Sequence, residues 1–138
     1  MSDDNDLKKI YPYYVERTNY YKSIYGQKTV VLMQVGSFFE IYSDCHKDNI
    51  DIKTISDLTQ LAVANKKCGY YMAGFKVEIL QKYANIITNS GYTCVIYEQT
   101  GEQTLEGKEK RALTEIISPG TNINCKDEVS NLIIFYLE

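Results

Sequence analysis

Phe38 and Glu40 stand two residues apart in Gly36-Ser37-Phe38-Phe39-Glu40-Ile41-Tyr42. The apolar run Val30-Val31-Leu32-Met33-Gln34-Val35 comes directly before them. In an extended chain, side chains two apart project from one face, roughly 6–7 Å from each other. That is about the rise of two stacked base pairs. A ring so placed can wedge between bases, and a carboxyl beside it can touch a base edge. The competing role for an aromatic in an apolar strand is core packing, because Phe is among the most often buried residue types. For Glu40 the competing role is a solvated strand carboxylate. On the residues alone, core packing is the better reading of Phe38.

Other groups able to do chemistry are sparse. Lys66-Lys67 and Lys108, Lys110 and Arg111 are short basic clusters and candidates for phosphate contact. Short charge runs of this kind are more commonly plain solvated loops. His46 is the only histidine and has no Cys or carboxylate pattern at ligand spacing, so no metal role is expected. Four cysteines, at 45, 68, 94 and 125, form no C-x-x-C pair, which argues against zinc and redox motifs. Asp51-Ile52-Lys53 and Glu106-Gly107-Lys108 loosely fit the D/E-x-K pattern of a metal nuclease. Such triplets arise by chance in a charged chain, and neither lies in a convincing core strand. There is no Gly-x-x-x-x-Gly-Lys-Ser/Thr phosphate loop. The expectation is a binding domain, not an enzyme, with no cofactor of its own.

Composition narrows the partners. The 138 residues carry a net charge of −3, with 44% hydrophobic and 24% charged residues. These are ordinary values for one globular domain. An autonomous DNA-binding domain usually has a basic surplus, because phosphate neutralisation supplies much of the affinity. The acidic balance fits a probe held on DNA by other parts of a larger protein. No apolar stretch approaches the roughly 18–20 residues that span a membrane, so no membrane partner is expected. The polar opening Met1-Ser2-Asp3-Asp4-Asn5-Asp6 is no secretory leader. An intracellular location with free thiols is therefore expected.

The elements that position these residues can be read from pattern. Residues 1–10 read as a disordered terminus. Pro12 suits a first helical turn, and a tyrosine-rich helix runs to about Tyr25, ended by Gly26. Its tyrosines read as packing with partly wet hydroxyls. Thr29–Val35 reads as a β-branched apolar strand. Gly36-Ser37 reads as a two-residue hairpin turn, and Phe38–Tyr42 as the returning strand. There Phe39 and Ile41 share the core face, and Phe38, Glu40 and Tyr42 the other. A helical turn is expected at 44–49, a short helix over Thr54–Gln60, and strands over Leu61–Asn65 and Tyr70–Ala73. The clearest helix runs from Val77 to Asn89, with Ile79, Leu80, Tyr83, Ile86 and Ile87 at helical spacing. A strand follows at Tyr92–Glu98, then a polar loop at 100–110 and a strand at Ala112–Ile117. This order gives an α/β (α+β) fold, a mixed β-sheet flanked by helices.

Four blocks add a resemblance. Gln34-Val35-Gly36-Ser37-Phe38-Phe39-Glu40 is similar to the Gly-Asp-Phe-Tyr-Glu signature of the N-terminal mismatch-recognition domain of the MutS family of DNA mismatch-repair proteins. Met72-Ala73-Gly74-Phe75 resembles its Met-Ala-Gly-Ile/Val-Pro segment. Gly91-Tyr92-Thr93-Cys94-Val95-Ile96-Tyr97-Glu98-Gln99 is like its Gly-x-x-Val-Ala-x-Cys-Glu-Gln, and Ile116-Ile117-Ser118-Pro119-Gly120-Thr121 like its Ile-Val-Thr-Pro-Gly-Thr. The resemblance implies a recognition domain over 11–121. It also implies a linker and the first strand of a connector domain over 122–138, where Asn131-Leu132-Ile133-Ile134 carries the likeness. The chain ends inside that hydrophobic strand, so a longer protein is expected.

By the same resemblance, Phe38 is the wedge that stacks on a mispaired base from the minor groove, and Glu40 the carboxyl that meets that base. Glu98 and Gln99 read as structural hydrogen-bonding residues. The implied partner is duplex DNA with mispairs or small loops, bound by a homodimer or MutS-type dimer. ATP and Mg belong to a downstream ATPase domain. Ser37, Phe39 and Lys76 depart from the usual Asp, Tyr and Pro, and none is expected to touch the wedge or the carboxyl. Two other functions stay in view: a nonspecific DNA-clamp domain that does not probe, and a nuclease-like enzyme.

Overall fold

Thr29–Val35 is the apolar, β-branched strand its composition suggests, and it forms the centre of the sheet as β1. The computed structural model describes residues 2–44 and 50–120. In chain order the elements are α1 (Asp4–Tyr25), β1, β2 (Phe38–Ser43), α2 (Ile52–Thr59), β3 (Ala64–Asn65), β4 (Tyr71–Lys76), a 3-10 turn (Val77–Ile79), α3 (Leu80–Asn89), β5 (Thr93–Gln103) and β6 (Glu109–Ile117). The six strands lie in the order β3-β4-β2-β1-β5-β6. β1 and β5 are parallel, and every other neighbouring pair is antiparallel. This is the mixed, helix-flanked α+β sheet expected.

Both sheet faces are covered, each by a different set of helices. Phe39 and Ile41 point to one face, where Ile55 of α2 and Ile87 of α3 meet them. Phe39 also lies 6.0 Å from Phe75, which stacks on Tyr83 of α3 at 4.6 Å. The opposite face carries Val31, Met33, Glu40, Tyr42 and Tyr97, which lie side by side through the strand register. α1 lies across it: Tyr14 donates to the Val31 carbonyl at 2.7 Å and meets Tyr42 edge-on at 4.9 Å. No described helix is long and apolar enough to cross a membrane.

The N-terminal residues correct the expectation of disorder over 1–10. α1 already begins at Asp4. Asp3 caps it, its side chain accepting from the Asp6 amide at 2.8 Å. Asp4 and Asp6 sit in the first turn, where the helix dipole favours acidic groups. Leu7 and Ile10 continue a buried stripe with Tyr14, Thr18 and Tyr21. The acidic start concealed that stripe. Pro12 is therefore inside the helix, on its exposed side, not in its first turn. Tyr14 and Tyr21 pack in the core while Tyr13, Tyr20 and Tyr25 remain exposed.

The 100–110 segment also differs from the expected loop. β5 and β6 extend as a two-stranded arm closed by a turn in which the Thr104 amide donates to the Lys108 carbonyl at 2.7 Å. Beyond Gln99 nearly every residue of the arm is exposed, so it lacks the alternation that marks a half-buried strand. Smaller differences lie at element ends. α2 starts at Ile52, the expected strand at 61–65 shrinks to Ala64–Asn65, and Val77–Ile79 is a 3-10 turn before α3. Residues 45–49 and 121–138, with the expected helical turn, His46, Cys45, Cys125 and the connector strand, lie outside the described residues.

Leu7 tests the docking of α1. It is fully buried, so Leu7→Ala is expected to cost about 2–5 kcal/mol in urea unfolding. A loss within experimental error would mean that the first turns of α1 do not pack.

Candidate nucleic-acid interface

The β1–β2 hairpin presents Phe38. Val35 pairs with Phe38 across the two-residue turn Gly36-Ser37. Gly36 has φ +61 and Ser37 stays on the ordinary side, the pattern of a type II′ turn with Gly first. Side chains from neighbouring strands tie this turn down. The Gly36 amide donates to Gln99 Oε1 at 2.9 Å, and Gln34 Nε2 donates to the Gly36 carbonyl at 2.9 Å. The Gln99 amide donates to Gln34 Oε1 at 2.8 Å. Arg111 Nε donates to the Gln34 carbonyl at 2.6 Å, and the Val77 amide to the Ser37 carbonyl at 2.9 Å. Phe38 is half-buried on this braced tip, whereas Phe39 is 2% exposed in the core.

Glu40 is placed differently from a solvated strand carboxylate. It is 0% exposed, under the start of α1. Its Oε2 accepts from the Ser2 amide at 3.0 Å. Its Oε1 accepts from the Ser2 hydroxyl at 2.8 Å and from the Tyr42 hydroxyl at 2.7 Å. Gly74 stands opposite it on β4, so no side chain crowds the carboxylate from that strand. A buried carboxylate is costly unless its lone pairs are used, and here three neutral donors use them. Burial, then the Glu40 charge, raise the Tyr42 phenol far above its ordinary range. Tyr42 therefore stays a protonated donor.

The basic candidates divide between two regions. Arg111 lies on β6 beside the hairpin turn, half-buried, not in a solvated loop. Burial pulls its guanidinium down from its ordinary range, opposed by the acidic groups of Tyr42, Glu109, Tyr13 and Glu40. Lys108 and Lys110 are exposed on the β5–β6 arm, and Lys110 Nζ is 3.9 Å from Glu102. Lys66 and Lys67 lie in the β3–β4 turn, at the far end of β4 from the strand position that pairs with Phe38. They line an open cleft of about 530 Å³ together with Asp3, Asp4 and Asn5.

Lys76 stands next to the hairpin in the sheet. It occupies the β4 position directly paired with Phe38, and it is exposed. Its side chain leaves the sheet on the same side as that of Phe38, at a position where the family commonly has Pro. Pattern reasoning missed this because cross-strand register is not written in either segment alone. It also missed Ser2, which looked like part of a solvated tail, and Gln34, whose only mark is being polar inside an apolar run. The two nuclease-like triplets do not converge. Asp51 caps α2, accepting from the Thr54 amide at 3.2 Å, and Glu106-Gly107-Lys108 forms the exposed arm turn. Among the described residues no three His, Cys, Asp or Glu side chains cluster to hold a metal.

Comparison with known proteins bears on this arrangement. The chain is 29% identical over 133 residues to a DNA mismatch repair protein mutS homolog of Acanthamoeba polyphaga mimivirus, a match covering 89% of this chain and 12% of that protein. It is 30% identical over 125 residues to DNA mismatch repair protein MutS of Trichodesmium erythraeum, covering 86% and 13%. It is 28% identical over 128 residues to the MutS protein of Microcystis aeruginosa, again covering 86% and 13%. The chain thus spans about an eighth of the length of these relatives. Residues 17–126, with the braced hairpin, Glu40 and the β5–β6 arm inside them, match MutS domain I, and the chain belongs to that family.

Proposed function

We propose that this domain probes duplex DNA for mispairs and small loops, with Phe38 as the wedge and Glu40 as the carboxyl that tests the base. The observation that carries the reading is the position of Phe38, half-buried on a turn braced from β5, from β6 and from the 3-10 turn after β4. A wedge must not yield when pushed against a base stack. Unstacking costs a few kcal/mol per step and less at a mispair, so the device senses deformability. Arg111, Lys108 and Lys110 on the arm, Lys76 beside the ring, and Lys66 and Lys67 at the other edge are the groups for phosphate.

The work of this domain is binding, not catalysis. In a full-length protein, a downstream ATPase domain using ATP and Mg and a second subunit, identical or MutS-like, would hold the probe on DNA. That tether raises the effective concentration of a domain whose own charge of −3 does little to attract phosphates. A second reading takes Glu40 as an anchor for α1 and the domain as a clamp that does not probe. The burial of Glu40 favours that reading, and the braced Phe38 favours the first.

Three substitutions in the full-length protein separate these readings. Phe38→Ala is expected to bring the affinity ratio of mismatched to matched duplex close to one. Base–aromatic stacking is worth about 1–3 kcal/mol. Thermal unfolding should show much less than the ~3–5 kcal/mol lost when a buried Phe becomes Ala. A loss that large would assign Phe38 to the core.

Glu40→Gln is expected to lower discrimination while matched-duplex affinity holds or rises, because a charge that repels phosphate is gone. Binding titrations on both duplexes give the answer, and an equal loss on both would favour the clamp.

Lys76→Ala is expected to weaken matched and mismatched binding alike. It should reduce the slope of log affinity against log salt by about 1, the mark of one phosphate contact. An unchanged slope would remove Lys76 from the interface.

A further inference from the structure

Glu40 cannot touch a base while it is 0% exposed with both oxygens accepting hydrogen bonds. Two of the three donors come from Ser2, which is itself 2% exposed and precedes the first helical residue, Asp4. The third comes from Tyr42, which belongs to β2 and is gripped by Tyr14 of α1. The two kinds of donor differ in what their removal demands. Freeing Tyr42 would break the sheet and its packing. Freeing Ser2 needs the first turn of α1 to loosen, a turn held by the Asp3 cap, by the Leu7 amide on the Asp3 carbonyl at 2.9 Å and by the buried Leu7 side chain. Helix ends fray at the lowest cost of any part of a fold.

We propose that Ser2 and the first turn of α1 form a displaceable cover over Glu40, and that a mispaired base must compete with Ser2 for this carboxylate. The inference rests on the reading of Glu40 as a base-testing group. Charge gives the cover a direction of opening. Asp3, Asp4 and Asp6 make the first turn acidic, so a DNA backbone favours the exposed Lys8 and Lys9 of the next turn over it. Across the open cleft stand Lys66 and Lys67, which do not ion-pair with Asp3 or Asp4 and can take the phosphate instead. Tyr42 stays behind to orient the freed carboxylate. The covering residues precede the stretch that matches the family, residues 17–126.

A cover of this kind sets the threshold of discrimination. The apparent affinity for a ligand that needs Glu40 is the intrinsic affinity reduced by the fraction of molecules with the cover open. Matched duplex, which offers Glu40 no donor, does not feel that reduction. Loosening the cover therefore tightens mismatched binding selectively.

The experiment uses full-length protein and fluorescence anisotropy with matched and singly mismatched duplexes of one sequence context. Ser2→Ala, which removes one donor, and Asp3→Ala, which removes the helix cap, are expected to tighten mismatched binding about three- to tenfold. Matched binding should stay unchanged in Ser2→Ala and rise less than mismatched binding in Asp3→Ala, which also removes an acidic charge, and Ser2→Thr should behave as the parent. Hydrogen exchange of the peptide over residues 2–10 in the parent protein supplies a second reading that needs no variant. Its protection should fall on binding mismatched duplex and persist on matched duplex. Equal effects on both duplexes, weaker mismatched binding by Ser2→Ala, or unchanged protection in the mismatched complex would overturn the cover. Phe38→Ala, run alongside, distinguishes the two failures. If it leaves discrimination intact, the probing function itself is wrong. If it abolishes discrimination while the Ser2 and Asp3 variants do nothing, only the cover is wrong.

Discussion

A carboxylate buried between a sheet and a helix constrains the whole of one face of this domain. Glu40 sits at 0% exposure with no basic side chain in an ion pair with it among the described residues. Its charge is carried by Ser2 and Tyr42, neutral groups that must arrive from two separate elements. α1 has to lie where it does for Ser2 to reach the carboxylate. Tyr14 then fixes the same helix through the Val31 carbonyl and the Tyr42 ring. Leu7 and Ile10 fill the space between. An apolar residue at position 40 would satisfy packing on this face more cheaply, because a buried charge is weak evidence for stability. The presence of a carboxylate there makes better sense as a functional group with a temporary partner.

On the proposed reading, the hairpin and the cover would divide the labour between a stiff part and a soft part. Around Gly36 the bonds come from Gln34, Gln99, Arg111 and Val77, which lie on or directly after strands already paired in the sheet. Moving Phe38 would disturb several of them together. Around Glu40 the releasable bonds come from one residue at the edge of a helix. A device that senses how readily a duplex deforms needs the first property, since a yielding wedge would measure its own compliance. A carboxyl that must stay away from intact duplex until a suitable base appears needs the second.

Strand positions and one face of β2 were legible because alternation and apolar runs report which residues enter a core. Thr29–Val35, the Gly36-Ser37 turn and Phe39 with Ile41 in the core follow from that rule alone. The helical start at Asp4 was not legible. Acidic residues in a first turn look like a solvated tail unless the stripe of Leu7, Ile10 and Tyr14 is followed across Pro12. The β5–β6 arm was hidden for a different reason. A ribbon with solvent on both sides is held by backbone pairing, and backbone pairing leaves no trace in side-chain polarity. Most of what surrounds Phe38 and Glu40 lay beyond local pattern altogether. Ser2 with Glu40, Gly36 with Gln99, and Phe38 with Lys76 are meetings of residues 38, 63 and 38 positions apart.

Charge placement completes the picture of a domain that should discriminate more than it attracts. The acidic groups of the first helical turn lie near Glu40, with exposed Lys8 and Lys9 directly after them, and further basic groups stand at Lys76, at the β3–β4 turn and along β6. On the proposed reading, a duplex at the Phe38 tip would meet basic groups around it and the acidic first turn beside the carboxylate. At physiological salt, screening over about 8 Å weakens the edge attraction of exposed lysines. On the proposed reading, a contact between a base and Glu40, made out of water, would be screened far less. Specificity in such a site should thus survive conditions under which affinity falls. That is the behaviour required of a probe whose grip on DNA comes from elsewhere in a longer protein.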